Sequence, residues 1–176
     1  MTWRLDPAKT GVLILDVQQR LVPAIHEHAR VVKKVADLLA VAEIFGLPVF
    51  VTEQVPEKLG PTVPEIDLKK YGLRPIPKSA FSAASVLPSE LPKTVLVAGI
   101  ETHICVRQTV YDLRLGDRNV CVIGDAVGSR APLDHQLALD EMRHDKVLVL
   151  SVESLAWELG GSADSPAFKR LLPILK

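Results

Sequence analysis

A chain of 176 residues that is 48% hydrophobic and 24% charged has the makeup of an ordinary folded domain, which excludes both disorder and a small disulfide-held scaffold. Its 21 Lys and Arg balance 21 Asp and Glu, so no basic footprint for nucleic acid or an anionic membrane is expected, and small molecules become the expected partners. At this length folding removes roughly 70% of the unfolded chain's surface from water, enough for residues 1–176 to form a single domain around one continuous core. No apolar run reaches the roughly 18–20 residues of a membrane span. The opening Met1-Thr2-Trp3-Arg4-Leu5-Asp6 lacks the charged-then-apolar layout of a signal peptide, so a cytoplasmic location is expected. Cys105 and Cys121, without a CxxC or Cys/His cluster, read as reduced thiols rather than a disulfide or a zinc site.

In chain order, short runs rich in Val, Ile and Leu stand at 12–15, 49–51, 95–98, 120–123 and 147–150 and read as strands buried on both faces. Between the first two, Val31, Val35, Leu38, Ala42 and Phe45 fall on one stripe of an amphipathic helix. The stretch from Glu53 to Pro77 carries Pro56, Pro61, Pro64, Pro75 and Pro77, which predicts an irregular excursion with one edge strand near Leu73 to Ile76. A second helix is expected from His103 to Leu115, with Val106, Val110 and Leu113 inward and Gly116 as its stop. A third starts with Pro132 in its first turn, and two shorter ones follow Ser151 and Ser165, the last of them read as a helix that docks on a partner subunit. Strands alternating with helices predict an α/β fold: a Rossmann-like three-layer α/β/α sandwich with a mostly parallel sheet.

Ligands of such sheets bind beyond the carboxyl ends of the strands, where strand order reverses, so the residues ending each strand come first. The first strand ends in Asp16-Val17-Gln18-Gln19-Arg20, without the glycines of a dinucleotide fingerprint, and no phosphate-binding GxxxxGK[ST] occurs. What it delivers is a carboxylate, Asp16, which as a lone residue reads more often as a turn or capping residue than as a catalytic one. The strand at 95–98 runs into Gly99-Ile100-Glu101-Thr102-His103-Ile104-Cys105. Gly99 permits a tight turn, and Cys105 then sits in the first helical turn, where the helix dipole lowers a thiol's pKa and backbone N–H groups stabilise an oxyanion. Cys121, mid-strand, reads as a buried hydrophobe.

Lys78 follows the Pro-rich excursion and alone would be a solvated surface charge. If the first strand neighbours the one before Cys105, then Asp16 and Cys105 converge and a lysine on the covering loop stabilises both. The five histidines have no metal-ligand spacing, and His103 reads as a surface or supporting residue. Asp125 and Ser129 read as structural residues that tie the loop after the fifth strand and cap the next helix.

Asp16-Val17-Gln18, Lys78-Ser79-Ala80-Phe81-Ser82, the Gly99–Cys105 run, and Asp125-Ala126 with Ser129-Arg130 occur in an order and spacing that resembles the isochorismatase-like cysteine hydrolase superfamily. The resemblance covers about Thr10 to Leu159. Within it, Thr52-Glu53-Gln54 followed by Pro56, Leu59-Gly60 and Thr62 looks most like the branch of isochorismatase domain-containing proteins.

The resemblance implies an Asp16-Lys78-Cys105 triad that cleaves a C–N bond of a small amide, carbamoyl or ureido compound through a thioester. It implies an oxyanion hole of the Glu101 and Cys105 backbone N–H groups, a cis peptide between Ile100 and Glu101, and a homo-oligomer. Nicotinamidases of the superfamily carry an Asp-x-His metal motif after the second strand, whereas here Thr52-Glu53-Gln54 stands there with no histidine from Leu47 to Leu73. No metal and no other cofactor are therefore expected, and nicotinamide is disfavoured as substrate. True isochorismatases lack the cysteine, so Cys105 points to C–N rather than enol-ether cleavage. Gln18, Gln54, Phe81 and Thr102 are the candidate substrate-lining residues. The competing reading is a catalytically weak oligomeric scaffold; a thiol peroxidase lacks a resolving cysteine.

Overall fold

The computed structural model describes residues 4–176, so the Met1–Trp3 part of the N-terminal reading lies outside the described residues. Six strands form one sheet in the order β3-β2-β1-β4-β5-β6: β1 Thr10–Leu15, β2 Val49–Gln54, β3 Ile76–Lys78, β4 Thr94–Ile100, β5 Asn119–Gly128 and β6 Leu148–Leu150. Every pairing within it is parallel. The helices are α1 His28–Phe45, the single turn α2 Pro56–Leu59, α3 Arg107–Leu115, α4 Pro132–His144, α5 Val152–Gly160 and α6 Phe168–Leu175. This is the layered α/β arrangement the alternation of strand and helix patterns predicts, and its sheet is wholly parallel.

Burial on both faces follows from the period-two alternation of side chains along a strand. Val12, Ile14, Leu96, Ala98, Cys121 and Ile123 pack on the side of α1, α5 and α6, while Leu13, Leu15, Val95, Val97, Val120 and Val122 pack on the side of α3 and α4. Each such side chain contributes about 1.5–3 kcal/mol by leaving water. The α1 stripe holds for Val31, Val35, Leu38 and Ala42, which are buried, while Phe45 is only half-buried. Among the described residues no helix is long and apolar enough to cross a membrane.

Four local expectations shift. The edge strand lies at Ile76–Lys78 rather than Leu73–Ile76, because Leu73 N–H closes a turn on Leu68 O and only residues 76–78 reach β2. Pro77 fits there since an edge strand leaves one N–H row unpaired. The segment that carries Cys105 is not the start of an α-helix: Thr102–Val106 forms a π-helical turn ahead of α3, with Val106 N–H bonded five residues back to Glu101 O.

The remaining two concern the fifth strand and the C-terminus. β5 runs on to Gly128 through a register shift against β4 between Val97 and Gly99. Asp125 in that extension accepts from Val152 N–H and so caps α5, while α4 begins without a side-chain cap. The C-terminal helix packs on its own chain, with Leu171 fully buried and Ile174 and Leu175 against the core beside α1.

Candidate active site

Sequence order reverses between β1 and β4, since β2 and β3 extend the sheet to one side of that pair and β5 and β6 to the other. The carboxyl ends of β1, β3 and β4 deliver Asp16, Lys78 and the turn bearing Cys105 to this place. Asp16 sits in the left-handed region at φ 57, which aspartate tolerates better than branched residues, and its N–H still pairs with Thr52 O at 3.1 Å. The chain thus turns its carboxylate back over the strand ends instead of into the following loop.

The Asp16 and Lys78 side chains are both 0% exposed, with Oδ2 2.7 Å from Nζ. The Thr52 hydroxyl donates to Oδ1 at 2.7 Å. Among the described residues Oδ2 is the one buried side-chain oxygen or nitrogen without an aligned hydrogen bond, so its contact with Nζ is an ion pair that leaves a lone pair for a proton. Lys78 Nζ in turn donates to Gln54 Oε1 at 2.5 Å, Phe81 O at 2.9 Å and Ala80 O at 3.2 Å, and lies 3.6 Å from Cys105 Sγ. Lys78, which taken alone would read as a surface charge, is buried between Asp16 and Cys105.

Cys105 is 7% exposed. Burial, and after it the charge of Asp16, push its thiol up to about 12, against the lowering effect of Lys78. This corrects the expected low-pKa thiolate: a dipole at a helix start is worth about 1 kcal/mol and does not outweigh desolvation beside a carboxylate. Cys105 therefore rests as a thiol, with a carboxylate close by.

Cys121 is buried in β5 and its thiol is likewise pushed up to about 12 by burial. The Ile100–Glu101 peptide is cis. The Glu101 carbonyl accepts from Ile104 N–H and Val106 N–H, both at 3.1 Å, and passes over the N–H of Cys105.

The four candidate lining residues separate into different roles. Gln18 is 0% exposed, and its amide is committed to the chain: Nε2 donates to Gln54 O at 3.0 Å and Gly60 O at 2.7 Å, while Oε1 accepts from Gln54 N–H at 2.8 Å. It staples the loop after β2 to the end of β1 and has no donor left for a ligand. Gln54 is buried, with Nε2 on Ser79 O at 2.6 Å and Oε1 on Lys78, so it positions the lysine. Thr102 is fully buried, its hydroxyl 2.9 Å from His135 Nδ1. Phe81 alone is exposed, at 54%, next to the backbone that holds Lys78.

Sequence reasoning missed Thr52, whose register partner Leu15 directly precedes Asp16 and was the available signal. It also missed His135 and the Glu101–Arg130 pair, for which a single sequence carries no sign; Arg130 N–H donates to Glu101 Oε2 at 2.9 Å. Ser129 bonds His103 Nδ1 at 3.0 Å rather than capping a helix. His103 thus ties the turn bearing Cys105 to Ser129, which agrees with its reading as a supporting residue.

A reporter of this electrostatics is alkylation of Cys105. With the thiol near 12, iodoacetamide at pH 8 should label Cys105 roughly 10²–10³ times more slowly than free cysteine. Asp16→Asn removes a raising influence and should speed labelling, while Lys78→Met removes the opposing one and should slow it further. Peptide mass mapping of the labelled sites reads both, and the reverse order would contradict this account.

Comparison with known proteins places this geometry. The isochorismatase domain family matches residues 10–154. Isochorismatase domain-containing protein 2A of Mus musculus is 36% identical over 98% of this chain and 85% of its own length. Among solved structures, one described as MAR1 ribonuclease from Caenorhabditis elegans superposes with TM-score 0.89 at 32% identity, covering 98% of this chain and 92% of that one. The ycaC gene product of Escherichia coli, described as an octameric hydrolase of unknown specificity, shares the fold with TM-score 0.90 at 22% identity over 99% and 90% of the two chains. On the family match and these relatives, the chain belongs to the isochorismatase domain family.

Proposed function

We propose that the protein is a cysteine hydrolase that cleaves a C–N bond of a small amide, carbamoyl or ureido compound. The observation that carries this reading is the sealed contact of Asp16, Lys78 and Cys105, with Asp16 Oδ2 left able to accept a proton. Asp16 takes the thiol proton as Sγ attacks the carbonyl carbon. Lys78 holds the carboxylate and stabilises sulfur as it becomes anionic, and the Glu101 and Cys105 N–H groups receive the oxyanion. As the C–N bond breaks, Asp16 returns the proton to the leaving nitrogen, so the amine departs neutral and a thioester remains. Water, deprotonated by the same carboxylate, attacks the thioester, and the regenerated thiolate regains its proton as the acid leaves.

Burial of all three groups supports a small substrate, with the exposed Phe81 close by as a candidate contact. No cofactor takes part in this scheme. A cytoplasmic homo-oligomer fits the reading: Leu133 and Leu137, one turn apart on α4, are 68% and 58% exposed and suit a surface that a second copy covers.

The ribonuclease description of the Caenorhabditis elegans relative supplies a second reading. Cleaving RNA calls for cationic side chains along a polyanion, and this chain's charges sum to zero around an enclosed thiol, which favours the small-molecule reading.

The test is release of ammonia or amine from a panel of small amides and ureido compounds, with an RNA oligonucleotide as a parallel substrate. Turnover of a panel member lost in Asp16→Asn supports the triad. RNA cleavage that survives loss of Cys105 moves the ribonuclease reading to first place, and inert wild-type protein moves the scaffold reading there.

A further inference from the structure

We propose that His135 is a positioning residue for Cys105, acting through the Thr102 hydroxyl; this rests on the reading of Cys105 as the nucleophile. Cys105 is borne by a π-helical turn, Thr102–Val106, in which the backbone bond from Val106 spans five residues instead of four. Such a turn occurs mostly as a single loop of helix at functional sites and needs its shape fixed from outside.

Besides the contact of Lys78 with Cys105 itself, three side-chain bonds that do so come from one segment, between the end of β5 and the start of α4. Arg130 N–H and Nε reach the Glu101 carboxylate at 2.9 and 3.1 Å, Ser129 Oγ meets His103 Nδ1 at 3.0 Å, and His135 Nδ1 meets Thr102 Oγ1 at 2.9 Å. The third stands apart, because Thr102 is fully buried and opens the π-turn itself. A buried hydroxyl without a partner is costly, so this residue's orientation depends on the imidazole.

The surroundings of His135 bear on the charge of its ring. Burial is the largest influence holding its ring below the usual histidine range, followed by the charges of Arg30 on α1 and Arg143 on α4, with His26 acting the same way and Glu27 opposing. These influences favour the neutral ring, whose Nδ1 can either accept from the Thr102 hydroxyl or donate to it. His135 also lines a pocket of about 200 Å³ with His26, Glu27, Arg30, Ser129 and Gln136, and that open space does not pin the ring. The hydrogen bond to Thr102 does, and it couples α4 to the turn that aims the thiol.

Asparagine and leucine are close in shape, and asparagine sets an amide near the place of Nδ1 that can accept from the hydroxyl or donate to it, so the pair His135→Asn and His135→Leu isolates the hydrogen bond. The readout is Cys105 alkylation by iodoacetamide at pH 9, followed by mass mapping, with buried Cys121 as the internal reference. Losing the bond loosens the turn and exposes the thiol, so labelling should rise about ten-fold in His135→Leu and stay within two-fold of wild type in His135→Asn. Thr102→Val should match His135→Leu, and the double variant His135→Leu/Thr102→Val should be no faster than either alone.

With a substrate from the panel, kcat should fall in His135→Leu while KM holds. Unchanged labelling in His135→Leu, equal labelling in His135→Asn and His135→Leu, or multiplying effects in the double variant would each overturn the proposal. If His135→Leu does not fold, Thr102→Val against Thr102→Ser deletes the same bond from the other side. Because labelling needs no substrate, a wild type inert toward the whole panel defeats the hydrolase reading while leaving this result interpretable.

Discussion

Replacing Cys105 with alanine is expected to abolish amine release, with a loss of about 10⁴–10⁶-fold in kcat and little change in stability. The size follows from the covalent scheme: without sulfur there is no thioester, and what remains is water attack aided only by the backbone N–H groups. The small stability effect follows from the site, because the thiol's neighbours are a lysine and a carboxylate already 2.7 Å apart, which alanine leaves paired. Members of a triad act as a unit, so adding Asp16→Asn to Cys105→Ala should cost almost nothing more.

The thioester itself gives a check independent of rate. Acid-quenched wild type should gain the mass of the acyl group on the peptide bearing Cys105, and Cys105→Ala should not. Turnover in Cys105→Ala within ten-fold of wild type would end the covalent mechanism.

The core and its order were legible because both-face burial writes itself as unbroken apolar runs: Val12–Leu15 and Val95–Ala98 can hardly be anything else in a chain this size. Asp16, Lys78 and Cys105 were legible through the resemblance and their places at strand ends, although Lys78 alone looked like a surface charge. The lining residues were less so. A glutamine two residues beyond a carboxylate reads the same whether its amide faces a ligand or the chain, and only the loop geometry around Gly60 gives Gln18 its staple role. Thr102 stayed ambiguous because its partner lies 33 residues away, beyond any local pattern.

The π-turn was hidden for a related reason. Val106, Val110 and Leu113 keep helical spacing whether or not one residue bulges before them, so periodicity cannot register it. The thiol's protonation was misjudged by weighing one influence without its competitors. A helix start favours an anion, yet burial and Asp16 oppose it with more strength. In the proposed scheme the carboxylate beside the thiol, rather than the dipole, therefore generates the nucleophile.

The largest structural effect is expected at Gly99. Its φ of +111 lies where a side chain is strained, and a Cβ there would stand 2.0 Å from Leu15 O, 2.6 Å from Leu15 N and 2.8 Å from Leu15 C. These are backbone atoms of β1, so no rotamer change relieves the clash; the two central strands must part, at the point where one ends in Asp16 and the other runs toward Cys105. Gly99→Ala should therefore cost more than about 4 kcal/mol in urea unfolding, the range reserved for named structural lesions.

Gly46→Ala is the matched control. Its φ is +64, but nothing lies within 4 Å of the added carbon, so only the left-handed conformation is penalised, by about 1–2 kcal/mol. If Gly99→Ala unfolded with the same midpoint as Gly46→Ala, the close contact of β1 and β4 would not be what holds the site together. If it is far less stable, the same glycine that lets the central strands touch also sets how near Asp16 comes to the nucleophile, and any Gly99→Ala protein that still folds should have lost turnover along with the slow, base-dependent labelling of Cys105.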